Sequence, residues 1–228
     1  MDKRIILQWI NPSIVTYLGD WKQMLKDIKR LRLTKISLFL TVAKYPMRKK
    51  IYECLLKSSI REIPHVHIRH DMKEGELDFL VDHFYTKAFS LHCPTLPSFL
   101  KSKYVNMMYV ENNNEGSAID DPLLIEKAGG MCIDLSHHKE FSVHERDIYK
   151  LTQKLVQKHK VGCNHLSAVM KNGKSHHRVE KISELDYVTS IPKCYFSRNI
   201  NLELANPIPE QIFFRKYIAK KLEKAWKI

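Results

Sequence analysis

Four side chains capable of ligand or acid/base chemistry close four successive apolar runs in the second half of this chain: Glu111 in VNMMYVENN, Asp134 in GMCIDLSHH, His165 in VGCNHLS and Glu203 in NINLELANP. They stand 23, 31 and 38 positions apart, and each ends a run that reads as a strand. One carboxylate at a strand end is ordinary and serves most often as a helix cap or a surface group. Four such groups in strand order imply convergence on one point. Three carboxylates gathered out of water repel one another and cost several kcal/mol, roughly, unless a cation or protons neutralise them. Two glutamates, one aspartate and one histidine suit a divalent ion such as Mn, Mg, Co or Zn, with positions left open for substrate. The lack of thiolate in the set argues against a closed structural zinc site.

The elements that must position this set form a repeating pattern. Strand-like runs are predicted at 4–10, 35–41, 63–70, 88–93, 105–112, 131–136, 162–169 and 200–204. Amphipathic stretches lie between them, with apolar residues three and four apart: Trp21, Met24, Leu25 and Ile28 line one, Leu77, Leu80, Val81 and Phe84 another. Asp120-Asp121-Pro122 and Pro207-Ile208-Pro209 read as helix starts, and Gly129-Gly130 as a stop. The segments around 98–101 and 182–187 are weak, and those connections are expected to be mostly loop. Eight alternations of about 28 residues each fit a single compact (β/α)8 TIM barrel, an α/β fold covering residues 1–228 as one domain. No phosphate-binding glycine fingerprint follows the first strand, which counts against a dinucleotide fold. In a barrel, reactive groups sit where strands run into the following loops, and the four residues occupy such positions.

With those residues in place, the chain resembles the xylose isomerase-like TIM-barrel superfamily, which includes sugar isomerases, ketose 3-epimerases and endonuclease IV. Glu111 is similar to the family's glutamate ending the fifth strand. Asp134-Leu135-Ser136-His137 looks like its Asp-x-Gly-His element, with serine in place of glycine. His165 matches the seventh-strand histidine, and Asn201-Leu202-Glu203-Leu204 the segment that supplies the last glutamate. The resemblance implies that Glu111, Asp134, His165 and Glu203 are ligands of a divalent metal and that His137 contacts substrate. It also makes Glu111 and Glu203 the acid/base pair of an isomerase or epimerase.

Other residues define the alternatives. His65, His67 and Arg69 share one face of the third strand, and Ser90-Leu91-His92 ends the fourth. His67 and His92 resemble the histidines that endonuclease IV uses for additional zinc ions, with Glu111 as a bridge. The loop Asn172-Gly173-Lys174-Ser175-His176-His177-Arg178 has serine, and no aspartate, where that enzyme carries Asp-x-His. Lys174, His177 and Arg178, with His67 and His92, are candidate substrate-binding residues. Asn112 to Asn114 are expected to serve a turn.

The formal charge of +13 attracts polyanions, but the lysines alternate with apolar positions along helices, as a solvated face does. Nucleic acid is therefore a possible partner and a small carbohydrate or sugar phosphate the favoured one. Five cysteines, Cys54, Cys93, Cys132, Cys163 and Cys194, are spread singly, as in a reducing compartment. Cys132 and Cys163 share faces with Asp134 and His165 and are expected to pack. No apolar run is long enough to span a bilayer, and a cytoplasmic location is expected. The reading that results is a metal-dependent sugar or sugar phosphate isomerase/epimerase. The alternatives are an endonuclease IV-like zinc phosphodiesterase and a non-catalytic barrel that binds a metal or metabolite.

Overall fold

The computed structural model describes residues 5–113 and 122–227; the expectations that touch Arg4, Asn114 and the Asp120-Asp121 pair lie outside them. The chain opens with a short helix, α1 (Ile5–Trp9), where the sequence predicts the first strand. An apolar run this short fits either element by pattern. Tertiary packing decides: Ile6 is buried, and Arg215 of the last helix donates to the Leu7 carbonyl at 3.1 and 2.8 Å. The first strand, β1, comes afterwards in two pieces, Ile10–Asn11 and Ser13–Val15.

Seven further strands follow, β2 (Ser37–Phe39), β3 (His65–His67), β4 (Ala88–Leu91), β5 (Met108–Glu111), β6 (Gly130–Asp134), β7 (Val161–Leu166) and β8 (Ile200–Leu202). Helices α2 (Trp21–Leu31), α3 (Tyr45–Leu56), α4 (Glu74–Phe84), α5 (Pro122–Glu126), α6 (Leu135–His144), α7 (Arg146–Lys158) and α8 (Ile208–Ala225) cover them. The two weak connections contain 3-10 turns, Cys93–Phe99 and Ile182–Ser190. The end of the predicted seventh strand leaves the sheet: Ala168–Val169 pairs with Ser175–His176 in a small antiparallel hairpin.

Every strand pairs in parallel with its neighbour, and the two pieces of β1 take the two ends of the order. Ile10 and Asn11 pair with Ile200 and Asn201 of β8, while Ser13–Val15 pair with Ser37–Phe39 of β2. The sheet therefore closes into an eight-stranded barrel with its seam at Pro12. Proline has no N–H for a ladder, so a break there costs no donor. Gln211 of α8 binds the seam: its Oε1 accepts from Ser13 N at 2.8 Å, and its Nε2 lies 2.9–3.1 Å from the carbonyls of Ser13, Leu204 and Asn206.

The apolar core lies between sheet and helices. Outward-facing Leu38, Val66, Phe89, Val110, Ile133, Leu166 and Leu202 are fully or almost fully buried there. The barrel interior is largely polar. It is filled largely by Asn11, Ser37, His65, Ser90 and Asn201, all buried and hydrogen-bonded across the lumen. Only at its lower end do Ala88, Tyr109, Cys132 and Cys163 form a small apolar cluster, so the two cysteines pack.

Candidate metal centre

Parallel register places the strand-end residues on neighbouring steps of the barrel, with Glu111 the partner of Cys132, two residues before Asp134. Asp134 is the register partner of His165, and His165 that of Asn201. Glu203, two residues further on, shares the Asn201 face one step outward. Asp134 ends β6 and also caps α6, accepting from His137 N at 2.9 Å through Oδ1. Ser136, the serine in the glycine position, bonds the same oxygen and reaches Ser167 Oγ at 2.7 Å. The second oxygen, Oδ2, is buried without a hydrogen-bond partner. Asn112 holds this strand end in place: its Oδ1 accepts from Asp134 N at 2.6 Å, and its Nδ2 donates to Asp134 O at 3.3 Å.

Glu111 sits at the middle of the cluster. One of its oxygens, Oε2, is 3.1 Å from His67 Nε2, 3.2 Å from His165 Nδ1 and 3.7 Å from His92 Nε2. His165 Nδ1 also lies 3.4 Å from Glu203 Oε2. Potential ligand atoms of Glu111, Asp134 and His165 all fall within 4.8 Å of one another, and so do those of His67, His92 and Glu111. Two groups of potential ligand side chains therefore share Glu111. Glu203 reaches the first group through His165.

Electrostatics explain how the cluster is held together. Burial works against protonation of His165, but the carboxylates of Glu111, Glu203 and Asp134 outweigh it and push its pKa up to about 10. His137 behaves alike: burial opposes its charge, while Asp134, a hydrogen bond to Glu140 and the two glutamates raise it to about 10. Burial alone would raise Glu111, yet His165, His67 and His92 hold it well below the usual carboxylate range. His67 and His65 are pushed down, chiefly by burial. Protonated imidazoles thus supply the positive charge that three buried carboxylates demand.

The same donors fit a divalent cation. Asp134 Oδ2 is a buried polar atom without a hydrogen bond, in a set of carboxylates and imidazoles without thiolate. Cys132 and Cys163 lie just beneath it in the apolar cluster, and burial keeps the Cys132 thiol protonated.

Residues that the sequence did not single out complete the centre. Tyr17, in the loop after β1, donates to Glu203 Oε1 at 2.7 Å, and burial together with Glu203 raises its pKa so that the phenol stays protonated. Ser90 Oγ bridges His65 Nε2 (2.7 Å) and His165 Nε2 (2.9 Å). Phe39 forms the floor, its ring centroid 4.8 Å from His165 and 5.3 Å from His65.

The loop residues divide. His177 reaches the centre, its ring edge-on to Tyr17 at 4.9 Å and its Nδ1 3.3 Å from the Glu203 carbonyl. Ser175 Oγ touches His137 Nδ1 at 3.2 Å and donates to Glu140 at 2.5 Å. Lys174 and Arg178 are exposed and make no side-chain contact with the carboxylates among the described residues.

No protein-family model matches the chain, and no curated protein matches it in sequence. Among solved structures it is similar to a protein from Rhodospirillum rubrum ATCC 11170 described as a "Putative Xylose isomerase". The identity is 10% and the TM-score 0.46, over 94% of this chain and 98% of that one. A likeness at that identity says nothing of the chemistry. Fold and site together define a parallel (β/α)8 barrel whose C-terminal mouth gathers carboxylates and histidines. No helix among the described residues is long and apolar enough to cross a membrane.

Proposed function

We propose that this barrel is a divalent-metal-dependent isomerase or epimerase of small sugars or sugar phosphates. The observation that carries the reading is the gathering of Glu111, Asp134 and His165 within one ligand sphere, with Glu203 against His165. In this reading Glu111, Asp134, His165 and Glu203 hold the ion, which supplies Lewis acidity toward a carbonyl and its neighbouring hydroxyl. Glu111 and Glu203 take and return the proton on carbon. Tyr17 keeps Glu203 oriented through its phenol, and His137 and His177 face the substrate oxygens. Lys174 and Arg178 reach a phosphate only if their loop folds inward.

A second reading is supported by the other ligand group, His67, His92 and Glu111. Two ions bridged by one carboxylate suit displacement at phosphorus, as in phosphodiesterases that act on nucleic acid. The net charge of +13 favours that substrate.

Metal analysis of the purified chain, followed by two assays on the same loaded sample, tests both. One ion per chain, solvent-deuterium incorporation into a ketose or ketose phosphate and no incision of an abasic oligonucleotide support the isomerase reading. Two ions and incision that disappears in both His67→Ala and His92→Ala move the chain to the hydrolases. Asp134→Asn and Glu203→Gln should fold and bind the ion more than about 100-fold more weakly, exceeding the usual effect of outer-shell changes. Unchanged affinity in both removes these residues as ligands.

A further inference from the structure

The opposite mouth of the barrel, where the strands begin, holds a second concave site. A cavity of about 480 Å³ opens there between Lys35, Lys87, Lys160 and Arg198, with Glu62 the only carboxylate in its lining. Four cations against one anion leave this mouth with three uncompensated positive charges. Glu62 is shared, 3.8 Å from Lys35 and 3.4 Å from Lys87. Lys160 and Arg198 have no carboxylate partner among the described residues; they lie over the rings of Tyr109 and Trp9 at 5.8 and 5.7 Å. Partial burial lowers the Lys35 pKa; Glu62 opposes the shift, and Lys87 and Arg215 add to it. One carboxylate against four cations leaves this repulsion standing, whereas protonated imidazoles offset the carboxylates at the other mouth.

The floor of this cavity is shaped to be concave. Tyr109 lies flat across the start of β7 because residue 162 is glycine: a Cβ there would stand 1.9 Å from the Tyr109 ring. Pro64, Ala88 and Phe196 add apolar wall. The volume falls in the range of small-ligand pockets, and cations on the rim of a low-dielectric concavity focus their field into it.

We propose that this lower mouth binds a small organic phosphate, its anionic group held by Lys35, Lys87, Lys160 and Arg198 and its carbon skeleton against Tyr109. The site does not depend on the chemistry at the other mouth. Calorimetric titration of the full metal-free chain with phenyl phosphate and with inorganic phosphate, at low salt and pH 8, tests it.

The expected result is one saturable site per chain with phenyl phosphate the tighter probe. Lys35→Gln combined with Lys160→Gln weakens binding about tenfold or more, in keeping with the loss of close charge pairs. Glu62→Gln tightens it, a sign that general destabilisation cannot produce. Lys150→Gln combined with Lys154→Gln removes the same charge from the exposed face of α7 and leaves the affinity unchanged. No saturable binding, or equal weakening by both double variants, overturns the proposal. Tighter binding of a single-stranded oligonucleotide, lost in the Lys35/Lys160 variant, assigns the mouth to nucleic acid and also overturns it.

Discussion

His165 is the residue on which most of the candidate centre turns, and its orientation is fixed from behind. Its Nδ1 faces Glu111 and Glu203, while its Nε2 meets Ser90 Oγ at 2.9 Å and His65 Nε2 at 3.3 Å. Burial keeps His65 neutral, so the His65-Ser90 pair holds the Nε2 side of His165 without adding charge and leaves Nδ1 toward the carboxylates. Partners of this kind set the ring angle and basicity of a ligating histidine. Ser90→Ala should therefore weaken metal binding about tenfold, while lowering stability by only about 1 kcal/mol. Competition with a chromophoric chelator and urea titration measure the two effects. Unchanged metal affinity in Ser90→Ala, beside a clear loss in Asp134→Asn, would detach Ser90 from the centre.

At the level of elements, α6 both carries the centre and anchors it to the next layer. His137 turns toward Asp134, whereas His138, one position on, is buried between Tyr149 of α7 and Tyr195, with ring centroids 4.7 Å from each. Burial lowers the His138 pKa to about 4, and its Nδ1 has no hydrogen-bond partner. An unfolded chain takes up this proton near pH 6.5, roughly, whereas the folded one does so only near 4. The unfolded state binds more protons between those values, so stability is lost as the pH falls through that window. His138→Phe keeps the stacking and removes the titration. The difference in urea stability between variant and parent should thus shift toward the variant by about 2–3 kcal/mol from pH 7 to pH 4. A constant difference would show that His138 plays no part in the acid sensitivity.

Much of this element-level arrangement was legible in the sequence, because a strand followed by a cap or turn signal marks a strand end with little ambiguity. Glu111, Asp134 and His165 came from that pattern, whereas His67 and His92 came from the third- and fourth-strand histidines that the family resemblance pointed to. Tyr17 was missed for a definite reason: placing the first strand at 4–10 instead of Ile10–Val15 left residue 17 in the middle of a loop. In the true register Tyr17 follows the strand end and would have been read with the other mouth residues. The polar lumen was hidden too. Alternation shows that Asn201 and Glu203 share a face, but short polar side chains fit a solvated face equally well until the sheet closes over them.

For the whole molecule, closure supports the candidate centre because its four residues rise from the consecutive strands β5 to β8, and β8 is held on its far side by the first piece of β1. The ladder is weakest at Pro12, where β1 hands over from β8 to β2. Gln211 is fully buried there and occupies the backbone N–H of Ser13 and three carbonyls around the seam. Replacing it with leucine keeps the volume and strands those groups without water, at about 1–3 kcal/mol for each one left unsatisfied. Gln211→Leu should therefore lose at least about 3 kcal/mol of unfolding free energy. Because β1 and β8 carry Tyr17 and Glu203 on the segments just beyond them, the same variant should bind metal more weakly while still folded, although it touches no ligand. Gln211→Glu offers the contrast: it preserves the acceptor for Ser13 N but places a carboxylate opposite carbonyl oxygens, so its stability should fall with rising pH. Urea titrations of both variants at pH 5 and pH 8, with chelator competition on the folded fraction, provide the measurement. Full stability in Gln211→Leu would mean that the seam is held by the strands alone.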